Sequence, residues 1–336
     1  MERLAIATIL ILLIVYSTYR RALPSIDLHD YAARYHRPWR GRSKHIEVST
    51  DISWADFAYC TYATDTESLC NSVMLLESLH RLGVNADRML LHSNLWNASD
   101  TSLEREAILL RRARDDFGAK LQAIAVLHED NVADPTWASG FTELLAFNQT
   151  QYKRVLSLDA DATILRSMDE IFLMPPAPVA MPRAYWLKDK EQLSDQLALV
   201  QPSTKAFDAV LQRIAERQSS EYDREIINAL YGNSCAVLPH RPYNLLTGEF
   251  SSADHTGYLG SKGEIWDAES VMQEAKYVHF SDWPLPKPWL HEKVIEKEMA
   301  PKCQECAEKR VWLWLYEDFR ERRKNVCGPE FVVQER

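Results

Sequence analysis

Four short apolar runs punctuate the first half of the chain, and helix-patterned segments separate them. Runs 57–62 (FAYCTY), 88–92 (RMLLH), 120–127 (KLQAIAVL) and 155–158 (VLSL) have the length and apolar character of buried strands. Between the first two, segment 66–82 places Leu69, Val73, Leu76 and Leu79 at helical spacing, and Gly83 stops it. Segment 103–117 reads as a charged helix and 141–151 as a third. Parallel strands need long crossovers, and helices supply them. The β-α-β-α-β-α-β order therefore predicts an α/β fold, a mainly parallel sheet flanked by helices on both faces. Such sheets gather ligands at the carboxyl ends of their strands. Beyond Asp169 the order loosens: 179–182 and 196–200 read as strands, 202–216 as a helix and 240–270 as loops. Segment 311–319 (VWLWLYEDF) is amphipathic and aromatic, suited to the core or to a docking helix. No internal repeat is present.

Thirty-nine Lys and Arg stand against 48 Asp and Glu, for a formal charge of −9. That balance argues against a nucleic-acid partner, which needs a cationic surface. Apolar residues at 46% and charged residues at 26% exclude a disordered or low-complexity chain. The run at 4–19 (LAIATILILLIVYSTY) carries no charge and ends at Arg20 and Arg21. As a helix it spans roughly 24 Å, short of an average bilayer core but acceptable to a thin endomembrane. No A-x-A cleavage site follows, which favours a signal-anchor over a cleaved signal peptide. Arg3 before the run and Arg20 with Arg21 after it leave its orientation open. Both readings place the rest in the secretory lumen, and the sequons at Asn97 and Asn148 agree. The expected organisation is an anchor at 1–21, a stem at 22–53 and a catalytic domain at 54–336. Six cysteines permit disulfides in such a compartment. Cys303 and Cys306 form the one C-x-x-C pair, which reads as a structural disulfide or free thiols rather than half a zinc site.

The sharpest chemical signal is Leu156-Ser157-Leu158-Asp159-Ala160-Asp161, an apolar strand running into two carboxylates. Turning at the strand end lets both converge on one hard cation, Mn²⁺ or Mg²⁺, which keeps positions open for phosphate oxygens. The alternative is a pair of solvent-facing turn aspartates. A second signal is the stretch 278–289 (VHFSDWPLPKPW), where His279 can complete a metal shell and Lys287 can neutralise a diphosphate.

Taken together, segments across residues 54–290 resemble family 8 retaining glycosyltransferases, of the glycogenin and lipopolysaccharide-galactosyltransferase type. FAYCTYATD at 57–65 resembles the opening strand and uridine loop, and FTELLAFNQTQYKRVLSLDAD at 141–161 the approach to a metal-binding D-x-D. SMDEIF at 167–172, LVQPS at 199–203 and the His279 to Trp289 loop match further segments in order. The phrases LLAFNQTQYKRV, PVAMPRAYW and HFSDWPLPKPW are most similar to fungal Golgi N-acetylglucosaminyltransferases.

This resemblance implies a GT-A-type nucleotide-diphospho-sugar transferase fold and a lumenal, Golgi-membrane enzyme. It implies a UDP-sugar donor, a glycan acceptor such as a mannose-terminated one, and transfer with retention. Asp159, Asp161 and His279 would hold Mn²⁺, and Lys287 would contact the donor diphosphate. Thr61, Tyr62, Thr64 and Asp65 would surround the uridine. Asp223 would act beside the donor sugar, orienting the acceptor or stabilising the oxocarbenium-like centre. GlcNAc is the implied sugar, with glucose and galactose open. The chain departs from the family pattern at four places, one of them the loop from His279 to Lys287, which is about two residues longer than in glycogenin. Glu143 stands where many relatives have a phosphate-binding Lys, Arg224 where they have Gln, and Ser194-Asp195-Gln196 where they have N-S-G. Two rival readings are a nucleotide-sugar hydrolase and a lumenal sugar-binding protein with little activity. Trp186, Trp266 and Trp283 are candidate stacking platforms for sugar, or core.

Overall fold

Four consecutive residues of the first apolar run, Ala58 to Thr61, are buried, as in a strand covered on both sides rather than one face-up in water. In the computed structural model this run is β1 (Phe57–Ala63), and it lies at the heart of a seven-stranded sheet. The structure describes residues 52–99, 102–125, 140–282, 287–290, 300–303 and 305–331. The expected anchor and almost all of the expected stem lie outside these. Among the described residues no helix is long and apolar enough to cross a membrane.

The other strands are β2 (Asp87–Ser93), β3 (Lys120–Ile124), β4 (Arg154–Leu158), β5 (Ala162–Ile164), β6 (Val179–Pro182), β7 (Leu197–Val200), β8 (Ala236–Leu238), β9 (Leu245–Leu246) and β10 (Tyr277–His279). The large sheet runs β3-β2-β1-β4-β7-β6-β8. Six of its strands share one direction, and β7 alone opposes both of its neighbours. The mainly parallel expectation holds. Alternate residues of β1 face opposite sides: Ala58 and Cys60 pack with Phe141, Phe147 and Ile226, while Tyr59 packs with Leu75 and Leu79.

Helix α1 (Thr66–Arg81) starts where Asp65 accepts the backbone N–H groups of Glu67 and Ser68, with Ser68 reciprocating. It ends ahead of Gly83, whose φ of 63° suits a residue without a Cβ. The remaining helices are α2 (Arg105–Asp115), α3 (Thr204–Ala215), α4 (Asp223–Tyr231), α5 (Ala268–Glu274) and α6 (Ala307–Cys327). The aromatic segment expected at 311–319 lies within α6. Trp312, Leu315, Tyr316 and Phe319 are buried against the core, so it is core rather than a docking face.

Two expectations differ from what forms. The helix expected at 141–151 is a 3-10 segment, Gly140–Asn148. Residues 141–147 are all buried, so no solvent-facing side imposes a 3.6-residue stripe. The loops expected at 240–270 contain β9 and short helical turns. Strand β9 joins β5 and β10 in a second sheet, ordered β5-β10-β9. Strands of two and three residues are too short to show a period in sequence. Cys70 and Cys327 form a disulfide that ties α1 to the end of α6, and Cys303 joins Cys306. The disulfide reading of the C-x-x-C pair holds, and joined sulfurs offer no thiolate to a metal.

Candidate active site

The end of β4 is where the chemistry collects. After Leu158 the chain turns, and the Asp161 N–H donates to Asp159 Oδ1 at 3.0 Å. Asp159 N–H donates to the Gln196 carbonyl at 3.0 Å, and the buried Tyr277 hydroxyl lies 2.9 Å from both the Asp159 and Gln196 carbonyls. Antiparallel pairing of β10 with β5 sets His279 opposite Ala162, one residue past Asp161. The imidazole Nε2 is thereby 2.9 Å from Asp159 Oδ2. Its Nδ1 is 2.7 Å from Ser281 Oγ and 3.2 Å from Gln196 Nε2. Lys287 Nζ sits 2.9 Å from Asp161 Oδ2 and donates to the Phe280 carbonyl at 2.6 Å. Four of the expected site residues, Asp159, Asp161, His279 and Lys287, therefore meet at one strand end.

Burial acts to raise the Asp159 carboxyl. The charge and hydrogen bond of His279, then the charge of Lys287, outweigh it and hold the group at about 2. Two carboxylates and an imidazole whose other nitrogen is held are donors that suit a divalent ion such as Mn²⁺ or Mg²⁺. Asp159 faces His279, whereas Asp161 faces Lys287. Among the described residues these three expected ligands are not gathered within 4.8 Å of one another. The carboxylates of Glu143, Asp195 and Asp223 are.

That second acidic group joins three elements. Glu143 comes from the 3-10 segment, Asp195 from the turn before β7 and Asp223 from the first position of α4. Asn228 on α4 accepts from Leu193 N–H at 2.9 Å and donates to the Leu193 carbonyl at 3.0 Å, pinning the Asp195 turn to the helix. Burial pushes Asp223 up to about 6, helped by the charge of Asp159 and opposed by the Arg224 N–H. Glu143 and Asp195 are also driven well above the carboxylate range, by burial first and then by neighbouring carboxylates. Arg224 beside them is paired with Glu225 at 2.7 Å.

The four residues expected around the uridine have separate surroundings. Thr61 is buried, with its hydroxyl 3.3 Å from Ser72 Oγ. Asp65 caps α1, and Thr64 N–H donates to Ser68 Oγ. Tyr62 faces both acidic groups. Burial and then the charges of Glu143, Asp159, Asp223 and Asp161 push its hydroxyl well up. Trp186 and Trp266 are half-buried, and Trp266 stacks on His255 at 3.9 Å; Trp283 lies outside the described residues.

Several supporting residues carry no sequence signal. Asn71 donates to Asp161 Oδ1 at 3.3 Å and accepts from the buried Arg323, which also pairs with Glu67. Asp282 accepts from Trp312 Nε1 at 2.8 Å, Tyr316 Oη at 2.7 Å and Thr247 Oγ1, fastening the end of the His279 strand to α6. Such partners lie far apart in the chain, and only the folded topology brings them together.

No family model matches the chain. It is 42% identical over 309 residues to glucose N-acetyltransferase 1 of Aspergillus fumigatus, covering 84% of this chain and 79% of that protein. The chain belongs to the fungal glucose N-acetyltransferase 1 family. It is also 48% identical over 286 residues to the Gibberella zeae member, covering 82% of itself and 63% of that protein, so it spans under two thirds of that relative's length. This family meets the expected likeness to fungal N-acetylglucosaminyltransferases. Solved structures share the fold. The bifunctional glycosyltransferase WbbM aligns at a TM-score of 0.56 and 13% identity, over 84% of this chain and 52% of that one. The galactosyltransferase LgtC, solved with donor and acceptor sugar analogs, aligns at 0.51 and 15%, over 83% and 98%. The expected nucleotide-sugar-transferase type of α/β fold is thus the one observed.

Proposed function

We propose that this family member is a retaining, Mn²⁺-dependent transferase that moves GlcNAc from a UDP-sugar to a glycan acceptor. The observation that carries the reading is the grouping of Asp159, Asp161, His279 and Lys287 at the carboxyl end of β4. An acidic pair, an imidazole and an ammonium are what a metal-bridged diphosphate requires. The relatives' name joins glucose, N-acetyl and transfer, which supports GlcNAc as the sugar.

A divalent ion held by Asp159, Asp161 and His279 would supply positive charge to the leaving diphosphate. Lys287 would add a point charge on the same oxygens, exchanging its Asp161 partner for phosphate. Ser281 and Gln196 hold the ring of His279, so its Nε2 stays aimed at the site. Thr61, Tyr62, Thr64 and Asp65 would surround the uridine. Asp223 would lie beside the donor sugar, where it could steady the oxocarbenium-like centre. Retention would follow from front-face attack, with the leaving phosphate taking the acceptor hydroxyl's proton. That route needs no protein nucleophile. The acceptor proposed is a mannose-terminated glycan.

We place the catalytic domain, 54–336, in the Golgi lumen behind a stem at 22–53 and an anchor at 1–21. Exposed asparagines in both sequons and two disulfides support an oxidising, glycosylating compartment.

UDP release by the full-length protein, from UDP-GlcNAc, UDP-glucose and UDP-galactose, tests this. Mn²⁺-dependent release from UDP-GlcNAc that rises with a mannoside acceptor is expected. Release indifferent to acceptor would make the protein a hydrolase. UDP binding without release would make it a sugar-binding protein.

A further inference from the structure

A buried cation stands behind the β4 site. Arg323 on α6 is 1% exposed, and so is Asn71 on α1. A buried guanidinium has to place its N–H groups on acceptors. Arg323 Nε donates to the Phe331 carbonyl at 2.8 Å, Nη2 to Glu67 and Nη1 to Asn71 Oδ1. Glu67 and Asn71 are four residues apart, so α1 turns both towards α6 from one face. Burial lowers the guanidinium to about 10, opposed by the charge and hydrogen bond of Glu67 and by the charge of Asp161. It is therefore charged at neutral pH.

Arginine donates and never accepts, so the atom of Asn71 that faces it has to be the amide oxygen. The NH₂ end is then forced to the other side, where it donates to Asp161 Oδ1 at 3.3 Å. The second oxygen of that carboxylate, Oδ2, faces Lys287 at 2.9 Å. The same guanidinium lies over the ring of Trp289, two residues past Lys287, at 5.7 Å from its centre.

We propose that Arg323 is a positioning residue for Asp161: it fixes the Asn71 amide so that Oδ1 is held and Oδ2 is left for the divalent ion. This rests on the proposed metal site at Asp159, Asp161 and His279. Held at one oxygen, Asp161 offers the ion the other in a set direction, which a geometrically demanding ion favours. Without Arg323 the Asn71 amide is free to turn over and aim its own oxygen at the carboxylate. The preset ligand would then be lost.

Mn²⁺ binding to the full-length protein, without nucleotide or turnover, is titrated by electron paramagnetic resonance. Asn71→Leu and Arg323→Met should each weaken binding about 10–100-fold, the range for partners that orient a metal ligand. Loss of a nearby positive charge would by itself strengthen Mn²⁺ binding, so weakening in Arg323→Met reads positioning. The double variant should bind no more weakly than either single one, because Arg323 acts through Asn71. A merely structural role would make the two losses add. Melting in chelator shows which variants are folded. Should Arg323→Met not fold, Arg323→Lys keeps the charge, loses the fork and should weaken Mn²⁺ to the same degree. Wild-type affinity in any folded variant overturns the relay, and so do additive losses; both leave the metal site standing. A wild-type protein that binds no Mn²⁺ overturns the metal site itself, and the relay with it.

Discussion

Two groups of carboxylates border the same site, half-buried or buried, and they are treated in opposite ways. Asp159 and Asp161 face an imidazole at 2.9 Å and an ammonium at 2.9 Å, and Asp159 is held down at about 2. Glu143, Asp195 and Asp223 face chiefly one another, and Asp223 is pushed up to about 6. One residue type thus gives a charged group and a group that resists charge. The difference is made by what the neighbouring strand and helix ends present, not by burial, which acts to raise both. The compensated pair is suited to bind a diphosphate-bridging ion. The trio resists charging, since burial and neighbouring carboxylates raise each of its acids.

The comparison can be broken most sharply at Lys287. Lys287→Ala leaves Asp161 without its ammonium, and transfer should fall by about 10²–10³-fold, as when one preorganised charge is removed. Steady-state kinetics check this, and full activity in Lys287→Ala would remove it from the site.

The next effect is on the scaffold behind the compensated pair. Asn71, which supports Asp161, lies one residue after Cys70, whose disulfide partner is Cys327 on α6. Cys327→Ser should cost about 5 kcal/mol on the loop-entropy model for so long a loop. Denaturant unfolding measures it; a loss under about 1 kcal/mol would mean the α1–α6 packing suffices alone.

Acidity separates the two groups by sign. Asp159 is lowered from 3.8, so its contribution is present above about pH 4 and lost as pH falls towards 2. Asp223 is raised from 3.8, so its contribution is present below about pH 4 and lost as pH rises through 6. Each is worth on the order of 2 kcal/mol. In chelator, Asp223→Asn should raise the melting temperature relative to wild type more at pH 7 than at pH 4. An equal effect at both pH values would contradict the strained trio. The smallest effect is that of Glu143→Gln in chelator, which should raise the melting temperature by about 2–4 °C, roughly 1 kcal/mol.

Much of this was legible in the chain itself. The strands of the parallel half are apolar runs bounded by cappers and glycines, and local chemistry marks them. Asp159 and Asp161 are visible because a buried strand runs straight into them. His279 and Lys287 are visible by resemblance. The small sheet that brings His279 beside Asp159 was not readable, since three residues hold no period. The trio was not readable as a unit either. Glu143 and Asp195 appear in sequence as isolated departures from a family pattern, and only the 3-10 segment and the Asn228 clasp bring them to Asp223.

The central claim is that Asp159 works through a metal ion in sugar transfer. The direct test is GlcNAc transfer from UDP-GlcNAc to a mannoside, measured against Mn²⁺ concentration in wild type and Asp159→Asn. The wild type should saturate with Mn²⁺ and fall silent in chelator, while the variant stays near background at every concentration. An Asp159→Asn protein that transfers with the wild-type Mn²⁺ dependence would contradict the assignment.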